Sequence, residues 1–296
     1  MAALFQQRSS MVIRQRLKLF WQYALPQQAL TQLMGWVANT QYRWIKNSFI
    51  AIFSRLYKIN LSEAVQTNPF AYPSFHDFFI RRLKTQARPI DSADNSIVSP
   101  ADGLIAQIGN IDTTHLIQAK GRTYTLEALL AGDSDLSQRF QSGIFSTIYL
   151  APHNYHRVHM PVSGTLRKMI HVPGTLFSVS LLTAERVPDL FARNERVVCF
   201  FDTAHGPMAV ILVGAMIVGS ISTVWAGNIT PPKRKTLYSV DYPPDTIRLK
   251  KGEELGHFSL GSTVIMLFAP GRAQWNSTLN SLAPLQVGQK IGELMP

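Results

Sequence analysis

Short apolar runs separated by turns dominate the chain after residue 91, and they restrict this part of it to a β-rich fold. The runs span residues 103–108, 144–150, 195–203, 208–224 and 261–269. Runs of this length, bounded by Gly, Pro or polar residues, are typical of buried β-strands. One helix is predicted to interrupt them at 126–131, with Thr125 as its cap and Gly132 as its stop.

The first part of the chain has helical periodicity instead. Helices are predicted at 12–24 and 28–58, separated by Pro26. In the second helix, apolar residues recur at helical spacings and form a stripe: Trp44, Ile45, Phe49, Ile52, Phe53 and Leu56. A short helix through Leu83 is predicted to begin at Ser74, which resembles a capping box. The fold class is therefore α+β, with N-terminal amphipathic helices at 1–62 followed by a β-rich body at 63–296.

Charge is distributed unevenly along the 296 residues. The net charge is +11, yet no Asp or Glu precedes Glu63. The basic residues of that segment are Arg8, Arg14, Arg16, Lys18, Arg43, Lys46, Arg55 and Lys58. Large aliphatic residues and tryptophans lie between them, which favours an anionic membrane surface as the partner over nucleic acid. The alternative is a helical pair that only covers the core of the body.

Cysteine use and hydropathy restrict the location. The one cysteine, Cys199, lies in an apolar run and indicates packing, and a single cysteine suits a reducing compartment. The N-terminal residues lack the apolar core and the cleavage site of a secretory signal. The longest apolar stretch, 208–218, contains Gly214 and is shorter than the roughly 20 residues of a spanning helix. We therefore expect a peripheral protein on the cytoplasmic face of the cell (inner) membrane.

Ser262 stands where a turn-rich segment meets the apolar residues 264–268. Gly261 before it has no Cβ, so its carbonyl can be approached closely and its backbone can be strained. The Ser262 hydroxyl is therefore placed to add to that carbonyl and convert the peptide to an ester. Elimination across the Cα–Cβ bond of Ser262 would then cut the chain and leave a pyruvoyl group. Taken alone, Gly-Ser-Thr is more typical of an ordinary strand start.

Two other segments supply the partners that such a serine needs. Asp102 precedes Gly103 before a strand-like run, and His153, His156 and His159 follow one another at intervals of three. An attacking serine is activated by a base that a carboxylate orients. Three histidines at this spacing also raise a metal site, since histidine is a common ligand. No acidic or cysteine residue nearby completes a zinc set, so no metal is predicted.

At these residues the chain resembles the phosphatidylserine decarboxylases, in particular the compact membrane-associated bacterial type. Five motifs occur in the order of that family over about residues 75 to 270: Pro-Ala-Asp-Gly at 100–103, Tyr-His-Arg-Val-His-Met-Pro at 155–161, Val-Pro-Gly-Thr-Leu-Phe-Ser-Val at 172–179, Leu-Phe-Ala-Arg-Asn-Glu-Arg at 190–196 and Leu-Gly-Ser-Thr at 260–263. Thr175 departs from the pattern, because an acidic residue is expected after the glycine.

The resemblance implies a self-cleavage triad of Asp102, His159 and Ser262. Cleavage between Gly261 and Ser262 would give a β chain of residues 1–261 and an α chain of residues 262–296. Ser262 would become a covalent pyruvoyl group, the only cofactor expected. His156 corresponds to the first histidine of the family motif and is a candidate helper in decarboxylation, by substrate positioning or proton transfer.

The resemblance also implies the reaction, which is decarboxylation of phosphatidylserine to phosphatidylethanolamine and CO2 in phospholipid biosynthesis. Loss of CO2 leaves a carbanion that needs an electron sink, and a pyruvoyl ketone joined to the substrate amine supplies one. A homodimer is a further expectation from the family.

Three alternatives remain open at the level of sequence. The first is a hydrolase that uses the same triad on an external substrate, although the chain lacks the Gly-x-Ser-x-Gly elbow of many esterases. The second is a non-catalytic membrane-binding protein that stays uncut. The third is a pyruvoyl decarboxylase of a soluble amino acid, against which the basic amphipathic N-terminus argues.

Overall fold

The computed structural model describes residues 27–215, 220–230, 236–259 and 262–296. The helix expected at 12–24 and the residue Gly261 lie outside the described residues.

The described helices precede and interrupt a body made of strands. The helices are α1 Gln27–Asn39, α2 Arg43–Tyr57, α3 Phe75–Phe79, α4 Leu126–Leu129, α5 Ser134–Phe140, α6 Leu181–Arg186 and α7 Leu190–Arg193, with 3-10 turns at Pro69–Ala71 and Thr85–Ala87. The strands are β1 Ser96–Val98, β2 Gly103–Asn110, β3 His115–Ala119, β4 Arg122–Thr125, β5 Ile144–Leu150, β6 Arg157–His159, β7 Gly164–Val172, β8 Arg196–Thr203, β9 Gly206–Val213, β10 Ile221–Thr223, β11 Gly227–Asn228, β12 Tyr238–Asp241, β13 Arg248–Leu249, β14 Glu254–Phe258, β15 Ser262–Phe268, β16 Ala273–Trp275, β17 Pro284–Leu285 and β18 Lys290–Leu294. The α+β prediction is confirmed.

The continuous helix predicted at 28–58 is wrong, because the chain breaks between α1 and α2. The Asn39 side chain bonds back to a helix carbonyl at 2.7 Å, and the Thr40 amide bonds to Val37 three residues earlier. Asn and Thr compete in this way with helical hydrogen bonds. The apolar stripe predicted the helices correctly, but it did not mark the break.

The short helix α3 begins at Ser74 as predicted, since the Ser74 hydroxyl accepts from the Asp77 amide at 3.1 Å. It ends at Phe79 instead of Leu83. The reason is a backbone pairing, in which Leu83 forms a bridge with Ala64. Phe75, Phe78 and Phe79 of this helix are buried against α2 in one aromatic cluster. The cluster attaches the helical layer to the body.

The central sheet has the strand order β12-β7-β8-β9-β15-β5-β2-β17, with β13 also paired to β7. All these pairs are antiparallel. β15 lies between β5 and β9, and every one of its residues is buried. Successive side chains point to opposite faces, so Val264 and Met266 belong to one core cluster and Ile265 and Leu267 to the other. Both faces are covered, which explains the uninterrupted apolar sequence.

Different elements cover the two faces. The sheet β11-β10-β14-β6 and the sheet β1-β18-β16 share one core cluster with one face of the central sheet. The helices α4 to α7 and the hairpin β3-β4 share the second cluster with the opposite face. The helix expected at 126–131 is confirmed as α4, with Thr125 accepting from the Ala128 amide at 3.1 Å. Gly132 follows it with a φ of +79°.

The run at 208–224 is not one strand, so that prediction is corrected. β9 ends at Val213 in the central sheet, and β10 belongs to the smaller sheet beside β14. The Gly214 amide still bonds to the carbonyl of Glu195 at 2.9 Å, in register with the β8–β9 pairing, so the chain leaves the central sheet after this residue. Residues 216–219 between the strands lie outside the described residues.

Within the described helices, none is long and apolar enough to cross a membrane. Cys199 is buried in the core as expected.

Candidate active site

Ser262 is the first residue of β15 and is completely buried. Its backbone pairs with Leu150 of β5. Its hydroxyl has no hydrogen-bond partner among the described residues. A buried hydroxyl without a partner is costly in free energy. Ser262 directly follows residues 260 and 261, which lie outside the described part of the chain.

His159 ends β6 and is held through both ring nitrogens. Its Nδ1 lies 2.8 Å from the carbonyl oxygen of Gly252, and its Nε2 lies 3.2 Å from the Tyr155 hydroxyl. A carbonyl only accepts, so Nδ1 carries the proton and Nε2 accepts from Tyr155. The backbone amide of His159 donates to Pro100 at 2.8 Å, which ties β6 to the turn that contains Asp102. The imidazole therefore presents a basic Nε2.

The surroundings of His159 favour its neutral form. Burial lowers the pKa of the imidazole below its ordinary value, and the positive charge of Arg157 acts in the same direction. The Gly252 carbonyl and the carboxylates of Glu254 and Asp102 oppose that shift. A neutral imidazole with an unprotonated Nε2 is the form that a general base needs.

Asp102 is buried beside this histidine but bonds elsewhere. Arg88 donates from Nε to both carboxylate oxygens at 2.9 and 3.1 Å, and from Nη2 to Oδ2 at 2.6 Å. The Val287 amide donates to Oδ1 at 2.9 Å. Across the described residues, no hydrogen bond joins Asp102 to His159, although the Asp102 charge raises the pKa of His159. The orienting acceptor of His159 is therefore the Gly252 carbonyl.

His156 is fully buried and neutral. Its Nδ1 lies 2.9 Å from the Asn154 carbonyl oxygen, so Nδ1 carries the proton. Its Nε2 is buried with no partner in the described part of the chain, and its ring lies 4.2 Å from that of Phe79. Burial lowers the pKa of His156 to about 3, with further lowering by Arg81. The free Nε2 is a proton acceptor in an apolar setting.

The backbone brings Ser262 and His156 to one end of the central sheet. Ser262 pairs with Leu150, and the His156 carbonyl accepts from the Phe258 amide at 3.0 Å. Residues 151–155 therefore leave β5 at the end of the sheet where β15 begins. The Ser262 hydroxyl bonds to neither His156 nor His159 as described here.

The three histidines of the motif do not converge on one point. His153 is exposed, whereas His156 and His159 each hold a different backbone carbonyl through Nδ1. In the part of the chain that the structure describes, no group of three His, Cys, Asp or Glu side chains is placed to hold a metal ion.

The Thr175 departure has a structural explanation. The Thr175 hydroxyl donates to the Arg193 carbonyl or to the Asn194 side chain, each at 3.1 Å. A Cβ on Gly174 would lie 2.3 Å from the Arg193 carbonyl, so only glycine allows this approach. The Asn194 side chain in turn donates to the carbonyl of Gly214, near β15. Hydrogen bonds thus join the motifs at 172–179 and 190–196 to each other and to Gly214, beside the central strand.

Sequence reasoning missed four groups that hold the candidate residues: Arg88, Tyr155, Gly252 and Val287. Tyr155 lies within the histidine motif, four residues before His159, and this position could have indicated its contact with the histidine. Gly252 is 93 residues from His159 and Val287 is 185 residues from Asp102, so no local pattern indicates these two partners.

A buried serine at a strand start, uncharged histidines and a buried carboxylate are the residue types with which enzymes activate a nucleophile. A family model described as phosphatidylserine decarboxylase matches residues 75–293, and another, described as PSD, matches residues 17–58. The chain belongs to the phosphatidylserine decarboxylase family, which confirms the resemblance carried by the five motifs.

Curated relatives agree over almost the whole chain. A phosphatidylserine decarboxylase proenzyme of Bordetella avium is 51% identical over 281 residues, covering 95% of this chain and 96% of the relative. The proenzyme of Stutzerimonas stutzeri is 50% identical over 283 residues, covering 95% of each chain. That of Yersinia pestis is 52% identical over 284 residues, covering 95% of this chain and 97% of the relative.

Proposed function

We propose that this chain is a proenzyme that cuts itself between Gly261 and Ser262 and then decarboxylates phosphatidylserine to phosphatidylethanolamine. The observation that carries the proposal is the completely buried hydroxyl of Ser262 at the start of the central strand, which has no hydrogen-bond partner among the described residues. The names of its relatives, which are phosphatidylserine decarboxylase proenzymes, support the same conclusion.

Self-cleavage uses the basic Nε2 of His159. This nitrogen takes the proton of the Ser262 hydroxyl, and the oxygen adds to the Gly261 carbonyl carbon. The C–N bond breaks, the proton passes from His159 to the departing nitrogen, and an ester to the Ser262 side chain replaces the peptide. Loss of the Ser262 Cα proton then expels the Gly261 carboxylate and ends the β chain. Water replaces the remaining nitrogen as ammonia, and residue 262 becomes a pyruvoyl group.

The pyruvoyl group supplies the electron sink that loss of CO2 requires. His156 would be suited to accept at Nε2 the proton that the substrate ammonium loses when it joins the pyruvoyl ketone, and to return it to the carbanion left by loss of CO2, because this nitrogen has no partner among the described residues. Its Nδ1 is already bonded to Asn154, so His156 accepts a proton more readily than it donates one to a substrate carboxylate. We therefore favour proton transfer over substrate positioning as the role of His156.

The α chain stays attached after cleavage because two of its strands are interior. β15 lies between β5 and β9, and β18 lies between β1 and β16. Each fully buried aliphatic side chain contributes about 1.5–3 kcal/mol, and the residues 264–268 are all buried. The Val287 amide adds a bond from the α chain to Asp102 of the β chain.

The helical layer provides the membrane contact in this proposal. Large apolar side chains are exposed on α1 and α2: Leu33, Trp36, Tyr42, Trp44, Ile52 and Leu56. Arg43, Arg55 and Lys58 are exposed on or next to α2, which suits an anionic surface. Docking of this layer on the cytoplasmic face of the cell membrane would bring the site close to the lipid head groups.

The substrate assay compares phosphatidylserine in detergent micelles with free serine, using carboxyl-labelled substrates. We expect labelled CO2 from phosphatidylserine only, and none from the Ser262→Ala variant. Equal release from free serine would indicate a decarboxylase of a soluble amino acid. Lipid breakdown without CO2 would indicate a hydrolase.

A further inference from the structure

Arg88 connects the start of the body to the candidate triad. One edge of its guanidinium holds both oxygens of Asp102, as described above, and its Nη1 lies 3.0 Å from Glu63 Oε2. The side chain of Arg88 is 13% exposed, and that of Asp102 is 7% exposed. This is a mostly buried, fork-shaped contact, the geometry in which arginine binds a carboxylate most strongly.

The contact decides how Asp102 can act. Arg88 and the Val287 amide together take up both oxygens of the carboxylate. His159 is oriented by the Gly252 carbonyl instead. Asp102 therefore influences the base through its charge, and the nearby guanidinium reduces that influence.

We propose that Arg88 is a positioning residue for self-cleavage, which fixes Asp102 in the site and sets how strongly its negative charge acts on His159. This inference rests on the proposed self-cleavage at Ser262. It concerns a residue that touches neither the serine nor the base.

Arg88 should also affect how the cleavage rate depends on pH, in a definite direction. The charged and titratable groups around His159 are Glu254 on β14, Arg157 on β6, Tyr155 before β6 and Asp102 in the turn after β1. His159 acts as a base when neutral, so the acid limb of the cleavage rate follows its pKa. Loss of the Arg88 charge strengthens the Asp102 field and moves the limb to higher pH. Asp102→Asn removes the field and moves the limb to lower pH.

The test is a time course of cleavage in freshly translated full-length protein, across pH. We expect Arg88→Gln to slow cleavage at pH 7 about tenfold or more. The cleavage rate of Arg88→Lys should lie between the rates of Arg88→Gln and the unmodified protein. In an Asp102→Asn background, Arg88→Gln should change the rate less than about twofold, because both act through one carboxylate. Arg248→Gln, which removes an exposed arginine paired with Asp245, is the matched control and should cleave normally.

Two outcomes overturn the inference. One is cleavage of Arg88→Gln at the normal rate with an unmoved acid limb. The other is an equal slowing in the presence and absence of the Asp102 carboxylate, which would mean a purely structural role. Thermal unfolding of the uncleavable Ser262→Ala form shows whether Arg88→Gln folds. If it does not, the cleavage rates of Arg88→Lys with and without Asp102→Asn are compared instead. Failure of the unmodified chain to cleave would overturn the proposed function instead.

Discussion

At the scale of single residues, His159 is partly buried and His156 is fully buried, and their Nε2 atoms have different surroundings. That of His159 accepts from the Tyr155 hydroxyl, whereas that of His156 has no partner among the described residues. Burial lowers the pKa of both imidazoles, so each is a neutral base at physiological pH. The proposal gives the first to self-cleavage and the second to decarboxylation.

Separate substitutions should divide these tasks. His159→Ala is expected to slow self-cleavage by about 10²–10⁴-fold, the usual contribution of a general base. His156→Ala is expected to cleave but to lose decarboxylation. His153→Ala, an exposed histidine of the same motif, is the control and should do both normally. Cleavage is followed on denaturing gels and decarboxylation by release of CO2. Normal cleavage of His159→Ala would remove this residue from the triad.

His156 should also make the folded protein sensitive to acid. Its pKa is about 3 when buried and 6.5 when unfolded, so the unfolded chain binds more protons between these values. Stability is therefore fully present above pH 6.5 and falls as the pH decreases towards 3. From pH 7 to 5.5 this one group should cost about 1 kcal/mol.

The measurement is denaturant unfolding of the uncleavable Ser262→Ala form with and without His156→Gln. The variant should lose less stability over that interval. Equal losses in both proteins would mean that His156 is not held neutral by the fold.

At the scale of elements, α2 has one face for the body and one for solvent. Phe49 and Phe53 pack on the aromatic cluster of α3, with ring centroids 4.6 and 5.0 Å from that of Phe75. Trp44 and Leu56 are 76% and 69% exposed on the same helix. An exposed apolar face of this size beside basic residues is typical of an interfacial helix.

Removing that face should weaken membrane association. Trp44→Ala with Leu56→Ala is expected to reduce binding to anionic vesicles about tenfold or more, because each side chain loses apolar area that would be buried in lipid. Vesicle sedimentation measures the effect, and added salt should weaken the remaining electrostatic part. Leu282→Ala alters a leucine that is also exposed but lies on the body, so it should bind as the unmodified protein does. Unchanged binding of the helix variant would mean that α2 only covers the core.

At the scale of the whole molecule, local patterns predicted the strands that are buried on both faces. β5 and β15 match the predicted runs within one residue, because their residues are almost all apolar and turn residues bound them. The division of 208–224 into β9 and β10 was missed, because it depends on pairing with distant segments: β9 pairs with β15 in the central sheet and β10 with β14 in the smaller sheet. The partners of Asp102 were missed for the same reason, since Val287 is 185 residues away. Local sequence patterns indicated the candidate residues, and tertiary contacts decide which groups hold them.

The central claim concerns one bond, and the intact mass of the purified protein under denaturing conditions tests it most directly. The account predicts two chains divided between Gly261 and Ser262, with the smaller one blocked at its N-terminus and reactive towards carbonyl reagents. Ser259→Ala, which alters another buried serine hydroxyl without a described partner, should still divide, whereas Ser262→Ala should not. A single chain of 33.1 kDa with an intact Ser262, in a sample that nevertheless decarboxylates phosphatidylserine, would contradict the account.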